Sequence, residues 1–163
     1  MTQIPEKMLP AEELAGRRLE IMVNAYMLLV HNLRQEGVAL DKVKAASDRA
    51  WQMIGEKAGA TLKPLFEGAP TADMTVQSGN IATEVHGMTI RREPLEGAHR
   101  TIFEACPWHD AAEALNMPEE WRLCRGGHES FLKALYNTLD PQVSVAMDAA
   151  PPEGALCSEV IRY

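Results

Sequence analysis

The sequence predicts an α+β domain: long N-terminal helices, followed by a small antiparallel sheet with two further helices. Three observations carry this. Apolar residues recur at three- and four-residue steps through residues 19–33 and again through residues 43–54, the period of a helix with a buried face. After Asp73 the chain changes to short β-branched runs punctuated by Ser78-Gly79-Asn80 and Gly87, the pattern of short antiparallel strands. A further helical period is then flanked by alternating segments, so helices and strands are segregated along the chain. The length, 163 residues, fits one domain.

Residues 1–10 form a loose leader, and residues 11–66 the helical part. A first helix spans residues 11–36 and stops at Gly37, a residue suited to the left-handed turn that ends helices. Leu19, Met22, Val23, Tyr26, Leu29, Val30 and Leu33 make one stripe, and Ile21, Ala25 and Leu28 widen it. So broad an apolar surface predicts either a central helix or one that packs against a second copy, a homo-oligomer through the first helix. A second helix covers residues 41–58, capped by Asp41, with Leu40, Val43, Ala50, Trp51 and Ile54 facing inward. Residues 61–66 add a short apolar piece cut by Pro64, and residues 67–73 form a turn-rich linker.

Residues 74–163 form the sheet-and-helix part. Strands are expected at 74–76, 81–86, 88–92 and 100–105. The last delivers Cys106, and a helix starts at once on Pro107, whose missing N–H costs nothing in a first turn. A second helix is expected with Asn116 as cap, Pro118 in its first turn and Glu119 and Glu120 at its positive end. Trp121, Cys124, His128, Phe131, Leu132, Leu135 and Leu139 share its apolar face. Strands at 142–147 and 155–162 flank the turn Pro151-Pro152-Glu153-Gly154.

Composition excludes several function classes. Lys and Arg number 16 against 23 Asp and Glu, for a net charge of −7, and no basic cluster is present. Nucleic acid and anionic membrane are therefore not expected partners. The longest strongly apolar run, residues 21–30, is too short to span a bilayer. No N-terminal targeting signal is visible. Three cysteines without disulfide spacing suggest reduced thiols and a cytoplasmic location.

The chemistry-bearing residues concentrate in residues 102–140, with Cys157 beyond. Cys106 falls at a helix start, where the dipole favours a thiolate. One option is nucleophilic chemistry: Cys106 as nucleophile, His109 or His128 as base, and Asp110 or Glu129 orienting the base. A second is a metal site: Cys106, Cys124, Cys157 and His128 offer three thiolates and an imidazole, a set suited to zinc or to an iron–sulfur cluster. Cys124 and His128 lie four apart on one helical face. A third is a pocket that the sulfurs merely line. His86, Arg91, Arg92 and Arg100 are candidates for binding a carboxylate substrate, with Trp108 and Trp121 as aromatic walls. Gly126-Gly127 marks a break in the helix or a close approach of another group.

These residues resemble the bacterial L-2-amino-thiazoline-4-carboxylate hydrolase-like proteins. The matching elements are Cys106-Pro107 after a strand, Pro118-Glu119-Glu120, Cys124, Leu139-Asp140-Pro141 where the family has an Asn-Pro, and Gly154-Ala155-Leu156-Cys157. The resemblance covers residues 100–161, and the N-terminal helices match only in kind. It implies a small hydrolase that opens a C–N bond of a sulfur-containing cyclic amidine or related small-molecule substrate. Gly126-Gly127-His128 departs from the acidic residue expected after the second cysteine. The layout is also similar to vinyl-reductase-like ligand-binding domains, which implies a small-molecule or metal sensor without catalysis.

Overall fold

The computed structural model describes residues 10–163, with the side chains of residues 11 and 12 excepted. The leader expected over residues 1–10 thus lies outside the described residues, apart from Pro10. Five α-helices and four strands follow in the order α1 (Ala11–Gln35), α2 (Leu40–Leu62), α3 (Ala72–Val85), β1 (Thr89–Leu95), β2 (Ala98–Ala105), α4 (Pro107–Ala114), α5 (Cys124–Leu139), β3 (Ser144–Met147) and β4 (Cys157–Arg162). Single 3₁₀ turns occupy Lys63–Leu65 and Glu119–Trp121. The sheet has the order β1-β2-β4-β3, and every neighbouring pair is antiparallel. The expected class is the observed one.

The central element is α5. Leu132 and Leu135 are fully buried on it, and Phe131, Tyr136 and Leu139 nearly so. Burying each such leucine contributes about 2 kcal/mol or more. Helix α2 lies along α5 through small residues. Its buried positions are Val43, Ser47, Gly55 and Gly59, whereas Ala50 and Ile54, expected inside, are exposed. A Cβ on Gly55 would run into the Phe131 carbonyl and one on Gly59 into Thr138. The absence of side chains, rather than an apolar stripe, is what lets the two helices approach.

Helix α1 ends as expected, with Gly37 at φ 72°. Val23, Met27 and Val30 are buried beneath it. Its other side faces outward: Ile21, Met22, Leu28 and Leu29 are all exposed. The widened stripe is therefore half covered within one chain.

Two expectations are corrected. Residues 74–76 and 81–85, read as strands, belong to α3, and His86, read as the end of the second strand, is its C-cap. Their threonines, valines and isoleucine favour strands intrinsically, but context overrides that preference. Thr71 caps the helix by accepting from the Met74 N–H at 3.3 Å. Ser78 and Thr83 turn their hydroxyls back onto the carbonyls of Met74 and Gly79, each at 2.9 Å, which removes their competition with the helix ladder. Gly79, read as a turn residue, sits mid-helix because a Cβ there would overlap the Tyr136 ring.

The second correction concerns the start of α5. Asn116 does not cap it. Asn116 takes φ 49° after α4, and the N–H groups of Asn116 and Met117 donate back to Glu113 and Ala112 at 2.8 and 3.0 Å. That is a closure of α4 of the Schellman type. Pro118 then leads into the 3₁₀ turn, and α5 begins at Cys124. Trp121 consequently leaves the α5 face and packs at the edge of the α1–α4 cluster.

Candidate functional site

Three separate elements bring the cysteines together. Cys106 is the residue before α4, Cys124 the first of α5 and Cys157 the first of β4. The β2–β4 register sets Cys157 opposite Phe103, so both point to the same face of the sheet. All three cysteines line one small apolar space of about 20 Å³, together with Met88, Phe103, Arg125, His128 and Met147. An outer cavity of about 70 Å³ shares the three cysteines and adds His109, Glu119 and Arg122. An inner one of about 10 Å³ shares Cys124 and His128 and ends on Trp51, His86 and Trp108. Cys124 borders all three spaces, together called the chamber, which run from polar residues at the outer end to aromatic ones at the inner end. A larger groove of about 450 Å³ is lined by Gln52, Glu56 and Lys133. It holds no cysteine or histidine and opens widely to solvent.

Burial decides the state of the thiols. Cys106 is 6% exposed. Burial pushes its pKa up, against the N–H groups of His109 and Trp108, which pull it down. The helix-start effect is thus present, but desolvation of the charged form outweighs it. Burial thus works against the expected thiolate at Cys106. Burial, reinforced by Cys106, pushes Cys124 to about 11. Burial and the other two cysteines push Cys157 to about 12, and Arg125 lowers it only in part. Among the described residues no three His, Cys, Asp or Glu side chains stand close enough to share a metal ion. The proposed set Cys106, Cys124, Cys157 and His128 lines one space without converging on one point.

His128 is buried on α5, edge-on to Phe103 at 5.3 Å between centroids. Its Nε2 lies 3.4 Å from a carboxylate oxygen of Glu159, a side chain 1% exposed. The expected partner, Glu129, instead pairs with Lys133 at 2.6 Å on the outside of α5. A signal for Glu159 existed in the sequence. In β4, Cys157, Glu159 and Ile161 share one face, and an acid between two core positions is a buried acid.

The remaining expected residues divide. His86 caps α3 and reaches the inner end, edge-on to Trp51 and Phe131. Burial, then His128, lowers its pKa to about 4, so it is neutral near pH 7. Trp108, 3% exposed, stands edge-on to Trp51 and Tyr26. His109 is half-buried at the mouth, and Asp110 is exposed on the first turn of α4. Arg91 is not in the site: it is exposed on edge strand β1 and paired with Glu93 and Glu104 at 2.7 and 3.1 Å. Arg92 is exposed, and Arg100 binds Asp148 at 3.0 Å. Trp121 borders none of the three cavities. Sequence reasoning missed Met88, Met147, Trp51, Arg125 and Glu159. Of these, Arg125, next to Cys124, and Glu159, on the Cys157 face of β4, had a local cue.

No family profile and no curated protein matches the chain. A solved structure of a trafficking protein particle complex subunit 3 from Naegleria fowleri, covalently bound to palmitic acid, is similar in fold. The TM-score is 0.54 at 13% identity, over 90% of this chain and 95% of that one. No helix among the described residues is long and apolar enough to cross a membrane.

Proposed function

We propose that this chain is a small-molecule-binding domain whose ligand occupies the thiol-lined chamber. The observation that supports this reading is that Cys106, Cys124, Cys157 and His128 line one small, mostly apolar space. Protonated thiols are poor nucleophiles but behave as small, polarisable apolar groups. Met88 and Met147 complete the wall, and methionine reshapes easily around a guest. The fold relative holds palmitic acid covalently, which agrees with a fold that can carry a guest. The chamber here is below the roughly 150 Å³ that admits a benzene molecule. Its ligand therefore has few heavy atoms, or enters as the methionines move.

The test uses the protein with ¹³C-labelled methionine methyl groups and a library of small heteroaromatic compounds. Binding in the chamber shifts the methyls of Met88 and Met147 and leaves those of exposed Met53 and Met74 in place. Shifts confined to the exposed methionines would overturn the reading.

One observation favours hydrolysis of a cyclic C–N bond as a second reading: Cys106 and His109 border the same outer cavity, so a thiol and a base share access to one guest. That chemistry needs a thiolate at Cys106. The alkylation experiment that ends the Discussion separates the two readings.

A further inference from the structure

Among the described residues the outward face of α1 is left uncovered. Ile21 is 69% exposed, Leu29 58%, Met22 49% and Leu28 46%, and Ala25 between them is exposed too. No acidic residue occurs from Ile21 to Gln35. In a chain of net charge −7, this is surface on which a second copy approaches without acid facing acid. Helix α2 widens it. Ser47 and Tyr26 of α1 share a hydrogen bond of 2.7 Å. Ala50 and Ile54, both exposed, follow Ser47 at steps of three and four residues and so lie on the same side of α2.

The order of residues on this face points to what covers it. Ile21 and Leu29 stand four residues to either side of Ala25, Met22 and Leu28 three, and Arg18 and Asn32 seven. Steps of three, four and seven keep all of them on the Ala25 face of the helix. Large apolar side chains thus mirror each other about a small one. A two-fold interface requires that symmetry, because residue i of one copy meets residue j of the other while j meets i. With two α1 helices antiparallel and Ala25 on the axis, Ile21 meets Leu29 of the second copy, and Met22 meets its Leu28. Arg18 falls opposite Asn32 of the second copy, one turn from its Glu36, an opposite charge.

We infer that the chain forms a two-fold homodimer through α1, with the two helices antiparallel and centred on Ala25. The dimensions agree. The 25 residues of α1 run about 37 Å, and with Ala50 and Ile54 alongside, the face approaches the roughly 800 Å² per partner of a standard interface. Contiguous apolar surface of this extent seldom stays open on a monomer. The dimer stands independently of the chamber reading.

Sedimentation velocity of the intact chain at micromolar concentrations is expected to show a dimer. Ala25→Arg sets like charges on the axis and raises the dissociation constant about a hundredfold or more. Leu95→Arg, at an exposed apolar residue on the far end of β1, leaves it unchanged. Mixing Ala25→Arg with Ala25→Glu restores the dimer, because position 25 meets itself. Ile21→Arg mixed with Leu29→Glu restores it as well, and Ile21→Arg mixed with Ile21→Glu does not, which is the mark of antiparallel helices. Ala25→Cys keeps the face neutral and serves where an added charge disturbs folding: mild oxidation joins two copies well above the level of the unaltered chain. The inference is overturned by a monomer throughout the micromolar range, by a dimer that Ala25→Arg leaves intact, or by Ala25→Arg and Ala25→Glu staying monomeric when mixed. Restoration by the two Ile21 variants in place of the Ile21 and Leu29 pair overturns the antiparallel arrangement.

Discussion

Gly55→Ala destabilises the protein by about 3 kcal/mol, although alanine in place of a helical glycine ordinarily stabilises by up to about 1 kcal/mol. The reversal comes from the α2–α5 contact. A Cβ at this position meets the backbone carbonyl of Phe131, which cannot swing aside as a side chain can, and lies 3.0 Å from the Ala134 Cβ. Relief requires the two helices to separate, and α5 carries Cys124 and His128. For a chain of this size the loss corresponds to a fall in Tm of roughly 6–12 °C. Gly16→Ala is the control: nothing lies within 4 Å of its Cβ position, so that variant is neutral or slightly more stable. Urea unfolding of both variants reads the difference. If Gly55→Ala were as stable as Gly16→Ala, the close approach of α2 to α5 would be wrong.

Alkaline pH weakens the fold through the chamber. Cys124 and Cys157 are pushed to about 11 and about 12 in the folded state, chiefly by burial, whereas an unfolded cysteine titrates near 8.5. Between these values the unfolded chain has lost thiol protons that the folded chain still holds. The unfolded state therefore binds fewer protons, and stability falls as pH rises. The contribution is intact below about pH 8.5 and declines from there to about pH 12. Burial of Tyr136, with Glu159 adding to it, raises that phenol and acts in the same direction. A loss of roughly 5 kcal/mol between pH 7.5 and 10.5 is expected from the two thiols. The variant carrying Cys124→Ala and Cys157→Ala should show a shallower slope, whatever its absolute stability. An unchanged slope would place both thiols in water.

Much of the architecture was readable from local signals. The stop at Gly37, the strand into Cys106 and the helix start on Pro107 follow from residue chemistry within a few positions, and they hold. Helix α3 was not readable in the same way, because Thr75, Val76, Ile81 and Val85 favour strands and only the Thr71 cap argued otherwise. The face of α2 was misread because its contact is made by glycines, which carry no hydropathy signal. At the site, the sequence indicated that Cys106, Cys124, Cys157 and His128 belong together. It did not indicate their ionisation, since that depends on how completely distant segments cover them. Nor did it join Glu159 to His128, or Arg125 to the Asp148 carbonyl. Those relations are made by β4 and the β3–β4 connection folding back onto α5.

The central claim is that three thiols, each disfavoured as a thiolate by burial, line one small apolar chamber. The most direct test is the rate at which iodoacetamide modifies each cysteine of the native protein near neutral pH, resolved by mass spectrometry and compared with the denatured chain. Burial and raised pKa values predict that Cys124 and Cys157 react at less than about one-hundredth of their denatured rates, and that Cys106 is also slowed, with no special advantage. Modification of Cys106 alone at or above the rate of a free thiol would contradict this and restore an activated nucleophile at the start of α4.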